Sequence, residues 1–363
     1  MTEKTAEMTA LYRSIHEQPQ AIRELLTDWD GPTQAAQQLN SRERVLLTGI
    51  GTSYHAALVG EYLLRLAGVD AWAVRSYEFV TYPRPLRSDD GVIVISHRGS
   101  KVHGIGAVQR AKQAGTFTVG ITGKDSQMRD VDILLETVGQ EVSSTHSVSY
   151  IGTLTRLAQI AARLAGLRGN TQVARKLEQG LSALPAAIEQ VFQHEDVLRQ
   201  VAQDVVAQQR RVVIVGAGPN AATAPEGALK AKEAAYITIE GLELEQAIHG
   251  PLVAFEASDL LVPISVKGPA QPRIADFLRA LHTIGTQVLL LGDIPPDDTG
   301  LFTHTGWTHV ELTGETIEEL TPLITVVPLQ LLAEFLAAAR GTNADSFRKD
   351  QEAYRDASGK YQL

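Results

Sequence analysis

The sequence predicts an α/β protein of two tandem, doubly wound parallel sheets, and three observations predict it. Arg44-Val-Leu-Leu-Thr-Gly-Ile-Gly51 is an apolar strand running into a glycine turn. Arg211-Val-Val-Ile-Val-Gly-Ala-Gly218 repeats that pattern 167 positions later. Around both, short apolar strands alternate with helical segments, the rhythm of βαβ units in a parallel sheet.

Taken in order, residues 1–40 are expected to form an N-terminal helical segment and 41–167 a first α/β domain. Its strands are the one ending at Gly51, Gly91-Val-Ile-Val-Ile-Ser96 and Phe117-Thr-Val-Gly-Ile-Thr-Gly123, with helices over Tyr54 to Ala67 and Gly104 to Ala114. Residues 168–207 carry helical periodicity at Lys176-Leu-Glu-Gln and Ala186-Ala-Ile-Glu-Gln-Val-Phe, so they read as a helical connector. A second domain over 208–341 repeats the first: Asp259-Leu-Leu-Val-Pro-Ile-Ser265 and Thr286-Gln-Val-Leu-Leu-Leu-Gly292 match the strands above, and helices are expected over Ala275 to Ile284 and Pro328 to Arg340. Residues 342–363 form a C-terminal tail.

The chain of 363 residues is long enough to bury a large core, and 44% hydrophobic with 21% charged residues describes a soluble globular protein. A formal charge of −9 argues against a broad nucleic-acid-binding face but permits a local basic pocket. Cysteine is absent, which excludes disulfides, thiolate metal sites and cysteine nucleophiles. The polar start and the lack of an apolar run of membrane-spanning length point to a cytoplasmic protein with no membrane partner. Ten histidines occur without HExxH or HxH spacing, so no metal or cofactor is expected.

The densest chemistry lies in Glu226-Gly-Ala-Leu-Lys230-Ala-Lys-Glu233, followed by His249-Gly250-Pro251. On a helix, Glu226, Lys230 and Glu233 share one face, which suits proton transfer; the alternative is an exposed i,i+4 pair of Glu226 and Lys230 on an ordinary amphipathic helix. Thr223-Ala-Pro225 is expected to supply an N-cap hydroxyl and a first-turn proline. His249-Gly250-Pro251 reads as a turn that fixes an imidazole.

In open α/β sheets ligands bind beyond the carboxyl ends of the strands. Three loops of the first half belong there: Gly51-Thr52-Ser53; Ser96-His97-Arg98-Gly99-Ser100-Lys101; and Ser143-Ser144-Thr145-His146-Ser147. Hydroxyls, backbone N–H groups and the cations Arg98 and Lys101 suit a phosphate dianion. A dinucleotide is the weaker alternative, because Tyr54 and Ala221 stand where GxGxxG needs its third glycine.

Together these motifs resemble a pair of sugar isomerase (SIS) domains, most closely the isomerase half of glutamine:fructose-6-phosphate amidotransferases. Ile15-His-Glu-Gln-Pro19 and Pro328-Leu-Gln-Leu-Leu-Ala333 resemble that family's first and last helices. The resemblance implies two flavodoxin-like or Rossmann-like three-layer αβα domains and C1–C2 proton transfer on a phosphosugar. It assigns that transfer to Glu233, ring opening to His249, and substrate orientation to Lys230 and Glu226. Ser53, Ser96 and Ser144 match positions that contact the sugar phosphate. It further implies a homodimer in which His249 serves the neighbouring subunit's site.

Three departures qualify the likeness. The glutaminase domain and its cysteine are absent from this sequence, so glutamine-dependent synthesis is not expected. Ser96-His97-Arg98-Gly99-Ser100-Lys101 replaces the family's Ser-Gln-Ser-Gly-Glu-Thr, and His146 replaces a family lysine. Glu352 aligns with the lysine that forms an imine, leaving Lys349 or Lys360 as possible substitutes. The expected function is therefore a hexose or hexosamine 6-phosphate isomerase, deaminase or deglycase; the alternative is a phosphosugar-binding sensor without catalysis.

Overall fold

The computed structural model describes residues 8–303, 305–312, 314 and 316–361. Three short helices come first: α1 (Ala10–His16), α2 (Gln18–Leu25) and α3 (Asp30–Leu39). The first α/β unit follows as β1 (Arg44–Gly49), α4 (Thr52–Leu66), β2 (Asp70–Arg75), α5 (Ser76–Thr81), β3 (Asp90–Ile95), α6 (Val102–Gln113), β4 (Phe117–Thr122), β5 (Ile133–Glu136) and α7 (Val148–Leu167). Helices α8 (Thr171–Val191) and α9 (Glu195–Gln208) lead to the second unit. That unit comprises β6 (Val212–Gly216), α10 (Asn220–Ala235), β7 (Glu240–Glu243), α11 (Leu244–Ile248), β8 (Leu260–Ser265), α12 (Gln271–Ile284), β9 (Gln287–Gly292), β10 (Trp307–Val310) and α13 (Pro322–Arg340). Helix α14 (Glu352–Ser358) ends the described tail.

The two sheets have one topology. Strands run β2-β1-β3-β4-β5 in the first and β7-β6-β8-β9-β10 in the second, all parallel. The central strands β3 and β8 are buried along their whole length, which is why they read as unbroken apolar runs. The edge strands β2 and β7 are partly exposed and lack such runs, so the sequence pattern missed them.

Two helix boundaries differ from expectation. Helix α10 begins at Asn220, directly after the Gly218 turn, because Asn220 N–H already reaches Ala217 O. Pro225 therefore lies inside the helix, and the Thr223 hydroxyl donates to Asn220 Oδ1 and caps nothing. Helix α13 likewise starts at Pro322 and contains Pro328. The stretch Glu318–Arg340 is long and apolar enough to cross a membrane, which the sequence reading overlooked; 89% of its apolar window is buried in the protein, where α13 packs on α10 and α9.

Helix α10 also packs on α4. The chain winds in opposite directions from β1 to β2 and from β1 to β3, so a crevice opens at the carboxyl ends of β1 and β3, beside α4 and α10.

Candidate active site

Gly51, with φ of +55°, turns the chain from β1 into α4 and puts Thr52 on the first turn, facing α10. The Thr52 hydroxyl donates to Glu226 Oε1 (3.0 Å) and accepts from Lys230 Nζ (3.0 Å). His55, one turn further along α4, places Nδ1 2.6 Å from Glu226 Oε2. Lys230 also donates to Glu233 Oε2 at 2.5 Å and lies 3.5 Å from Glu226 Oε1. The expected helical face exists, and it is not a surface ion pair: the side chains of Glu226 and Lys230 are 0% and 1% exposed, and that of Glu233 is 20% exposed.

Burial sets the electrostatics. On its own it would lift the Glu226 pKa, but Lys230, His55 and Thr52 outweigh it and hold the carboxylate below its ordinary value. Burial opposes the charge on Lys230, yet Glu233 and Glu226 keep its pKa raised. At Glu233 burial prevails over Lys230 and pushes the pKa up. Glu226 and Lys230 thus form a buried ionic frame, and Glu233 is the carboxylate of the cluster that keeps some solvent exposure.

The β3–α6 loop supplies the cations. Gly99, with φ of +66°, lies where a Cβ would stand 2.2 Å from Met128 N, so only glycine allows the turn. Burial lowers the Lys101 pKa, and the like charges of Arg98 and of Lys349 in the tail lower it further. Among the described residues Arg98, Lys101 and Lys349 form no ion pair. The Ser53, Ser96, Ser100 and Ser144 hydroxyls have no hydrogen-bond partner among those residues either, and none is sealed away from solvent. The Ser144 loop is clamped to the tail: Ser144 N–H donates to Asp345 O, and the Thr145 hydroxyl donates to Ala344 O.

Two expected site residues are placed differently. Thr52 donates its hydroxyl to Glu226 and accepts from Lys230, so it frames the acid–base cluster. His249 is 74% exposed, faces Glu245 at 3.1 Å and is not joined to the Glu226 cluster within this chain. The His97 ring packs against Gly123 and the His146 ring, with its Nε2 accepting a long N–H contact from Glu141. Burial, with Arg98, lowers its pKa to about 4. Burial, then Lys230, lowers that of His146 to about 3.

Sequence reasoning did not single out His55 or the tail's role. His55 could have been found as the residue one helical turn after Gly51. A cavity of about 330 Å³ beside Glu233 is lined by Tyr236, Phe347, Arg348 and Tyr354. The Tyr236 hydroxyl holds the tail there, donating to Asn343 O and accepting from Arg348 N–H. Lys360 and Glu352 are exposed.

Residues 38–161 match the SIS domain family. A SIS domain thus spans most of the first α/β unit. It is 32% identical over 364 aligned positions to a glutamine–fructose-6-phosphate aminotransferase (isomerizing) of Gloeobacter violaceus, covering 96% of this chain and 59% of that protein. It therefore spans under two thirds of the length of that curated relative. Its fold is similar to the C-terminal domain of a glucosamine-fructose-6-phosphate aminotransferase from Francisella tularensis, with TM-score 0.85, 21% identity and coverage of 95% and 99% of the two chains. A tagatose-6-phosphate ketose/aldose isomerase from Escherichia coli shares the fold at TM-score 0.78 and 20% identity, with 96% of each chain covered.

Proposed function

We propose that this SIS-domain protein transfers a proton between C1 and C2 of an open-chain hexose or hexosamine 6-phosphate, as an isomerase or a deaminase. One observation carries the reading. Arg98, Lys101 and Lys349 carry positive charge with no ion-pair partner among the described residues, and Ser53, its hydroxyl also unpartnered, directly follows Thr52, which bonds both Glu226 and Lys230. This supports reading the anion-binding groups and the acid–base groups as one site.

In this proposal the phosphate accepts hydrogen bonds from Ser53, Ser96, Ser100 and Ser144 and is balanced by Arg98 and Lys101. Glu233 removes a proton from C2 or C1, and the enediol or enolamine receives it back at the neighbouring carbon. Lys230, charged and bonded to Glu233, orients that carboxylate and stabilises its ionised form. In the deaminating direction the enolamine, reprotonated at C1, becomes a C2 ketimine, and water hydrolyses its C=N bond to leave the ketose and release ammonia.

The SIS match and the curated relative's name support the substrate class. His249 remains a proposed contributor to a neighbouring subunit's site in a homodimer, and a cytoplasmic setting without membrane or nucleic-acid partners belongs to the same reading. A second reading, binding without catalysis, is favoured by Glu352, an exposed residue at the start of α14 that cannot form an imine. NMR of a panel of hexose and hexosamine 6-phosphates in deuterated water separates the two. Product formation or C2-proton exchange supports the enzyme, and saturable binding with neither supports the sensor.

A further inference from the structure

We propose that His97, Glu141 and His146 form a binding site for a divalent transition-metal cation on the wall of the crevice. The three residues come from separate segments: the loop after β3, the segment after β5 and the turn before α7. Their ligand atoms all lie within 4.8 Å of one another. The two rings meet edge to face with centroids 5.0 Å apart. Sequence spacing could not reveal this cluster, since no His-x-His or His-x-x-x-His motif underlies it.

The donors are prepared for ligation. No hydrogen bond reaches the His146 ring among the described residues. His97 has one contact, the 3.4 Å approach of Glu141 N–H to Nε2, which is beyond the usual N–H···O or N range and easily displaced. Glu141 is oriented by the first turn of α7, accepting from Ser147 N–H (2.9 and 3.1 Å) and Ser149 N–H (2.9 Å). A carboxylate fixed by outer hydrogen bonds is the arrangement found around protein-bound metals. Metal–ligand bonds of about 2.0–2.2 Å require the three atoms to close by roughly 1 Å, within reach of side-chain rotation.

Two imidazoles and one carboxylate select zinc, cobalt, nickel or ferrous iron over magnesium or calcium, and leave coordination positions for water or a further ligand. Arg98 and Lys230 oppose a cation here, while Glu226 favours it. The neutral imidazoles supply the binding and the Glu141 charge completes it. This inference does not depend on the sugar reading, because a metal binds these ligands whether or not the crevice holds a phosphosugar.

The test uses the full chain, stripped with chelator and titrated with Co²⁺ by visible absorption and Zn²⁺ by calorimetry. One equivalent is expected. Because loss of a residue that merely supports a ligand costs about 10–100-fold in affinity, His97→Gln and His146→Gln should each weaken binding at least about 100-fold. Circular dichroism confirms that each variant is folded, and His194→Gln, at a histidine between α8 and α9, should bind as wild type does. Absence of stoichiometric binding, undiminished binding in both crevice variants, or loss of binding in His194→Gln would overturn the proposal.

Discussion

Lys230 and Glu233, three residues apart on α10, are joined by a 2.5 Å hydrogen bond in which the ammonium is sealed from solvent and the carboxylate is not. The difference in exposure gives the two groups different work. Lys230 also meets Thr52 and Glu226, so its charge is fixed by three partners. Glu233 has only that one polar partner in the cluster and borders the cavity under the tail.

Lys230→Met should be costly to folding. It leaves the buried Glu226 carboxylate with only His55 and Thr52 as partners, and breaking a buried ion pair from one side costs about 3–5 kcal/mol. Urea denaturation checks this; a loss below about 1 kcal/mol would mean that Lys230 behaves as a surface ion.

Stability should also fall in acid through Glu226. Its folded pKa lies below the ordinary 4.5, so its contribution is present above that value and disappears as the pH drops through the lower, folded value. Glu233 acts with the opposite sign. Its raised pKa makes protonation easier in the folded state, so its titration adds stability as the pH falls through that raised value toward 4.5. Glu233→Gln should therefore steepen the net acid loss, read as melting temperature against pH.

The same shift predicts a kinetic profile. A base must be ionised, so C2-proton exchange should decline on the acid side at a pH above 4.5, the ordinary carboxylate value. His97 and His146, held at about 4 and about 3, are neutral at pH 7 and add no limb near 6.5. An acid limb centred below 4.5 would contradict the assignment.

Ser96→Ala should weaken binding of a sugar 6-phosphate by about 1.5 to 3 kcal/mol, the usual value of a hydrogen bond to a charged group. Calorimetry with the phosphorylated and the plain sugar checks it. Equal affinities of wild type for the two would remove the phosphate from the crevice.

For the shared site, Ser96→Ala and His249→Ala should each lower activity, and co-expression should restore part of it, since a mixed dimer assembles one intact pair. The exposed imidazole of His249, unconnected to Glu233 within the chain, motivates this expectation. No recovery in demonstrated mixed dimers would count against it.

Much of this was legible in the sequence, for identifiable reasons. β1, β3, β6 and β8 are buried on both faces, so each is a continuous apolar run, and the Gly51 and Gly218 turns mark the repeat. Glu226, Lys230 and Glu233 were visible because helical spacing places them on one face. What could not be read was contact between distant segments. Thr52 and His55 close onto Glu226 across 174 and 171 positions, and the tail reaches Ser144 through Asp345. Such pairings depend on how α4, α10 and residues 343–348 pack, which no local pattern encodes. The same holds for His97 and His146, ordinary loop residues until two loops meet.

The most direct test of the central claim is C2-proton exchange by Glu233→Gln, followed by NMR in deuterated water with a turned-over hexose or hexosamine 6-phosphate. The substitution keeps size and removes the base, so binding should persist while exchange falls at least about 10²-fold. Exchange at the wild-type rate in a folded, ligand-binding Glu233→Gln protein would contradict the account.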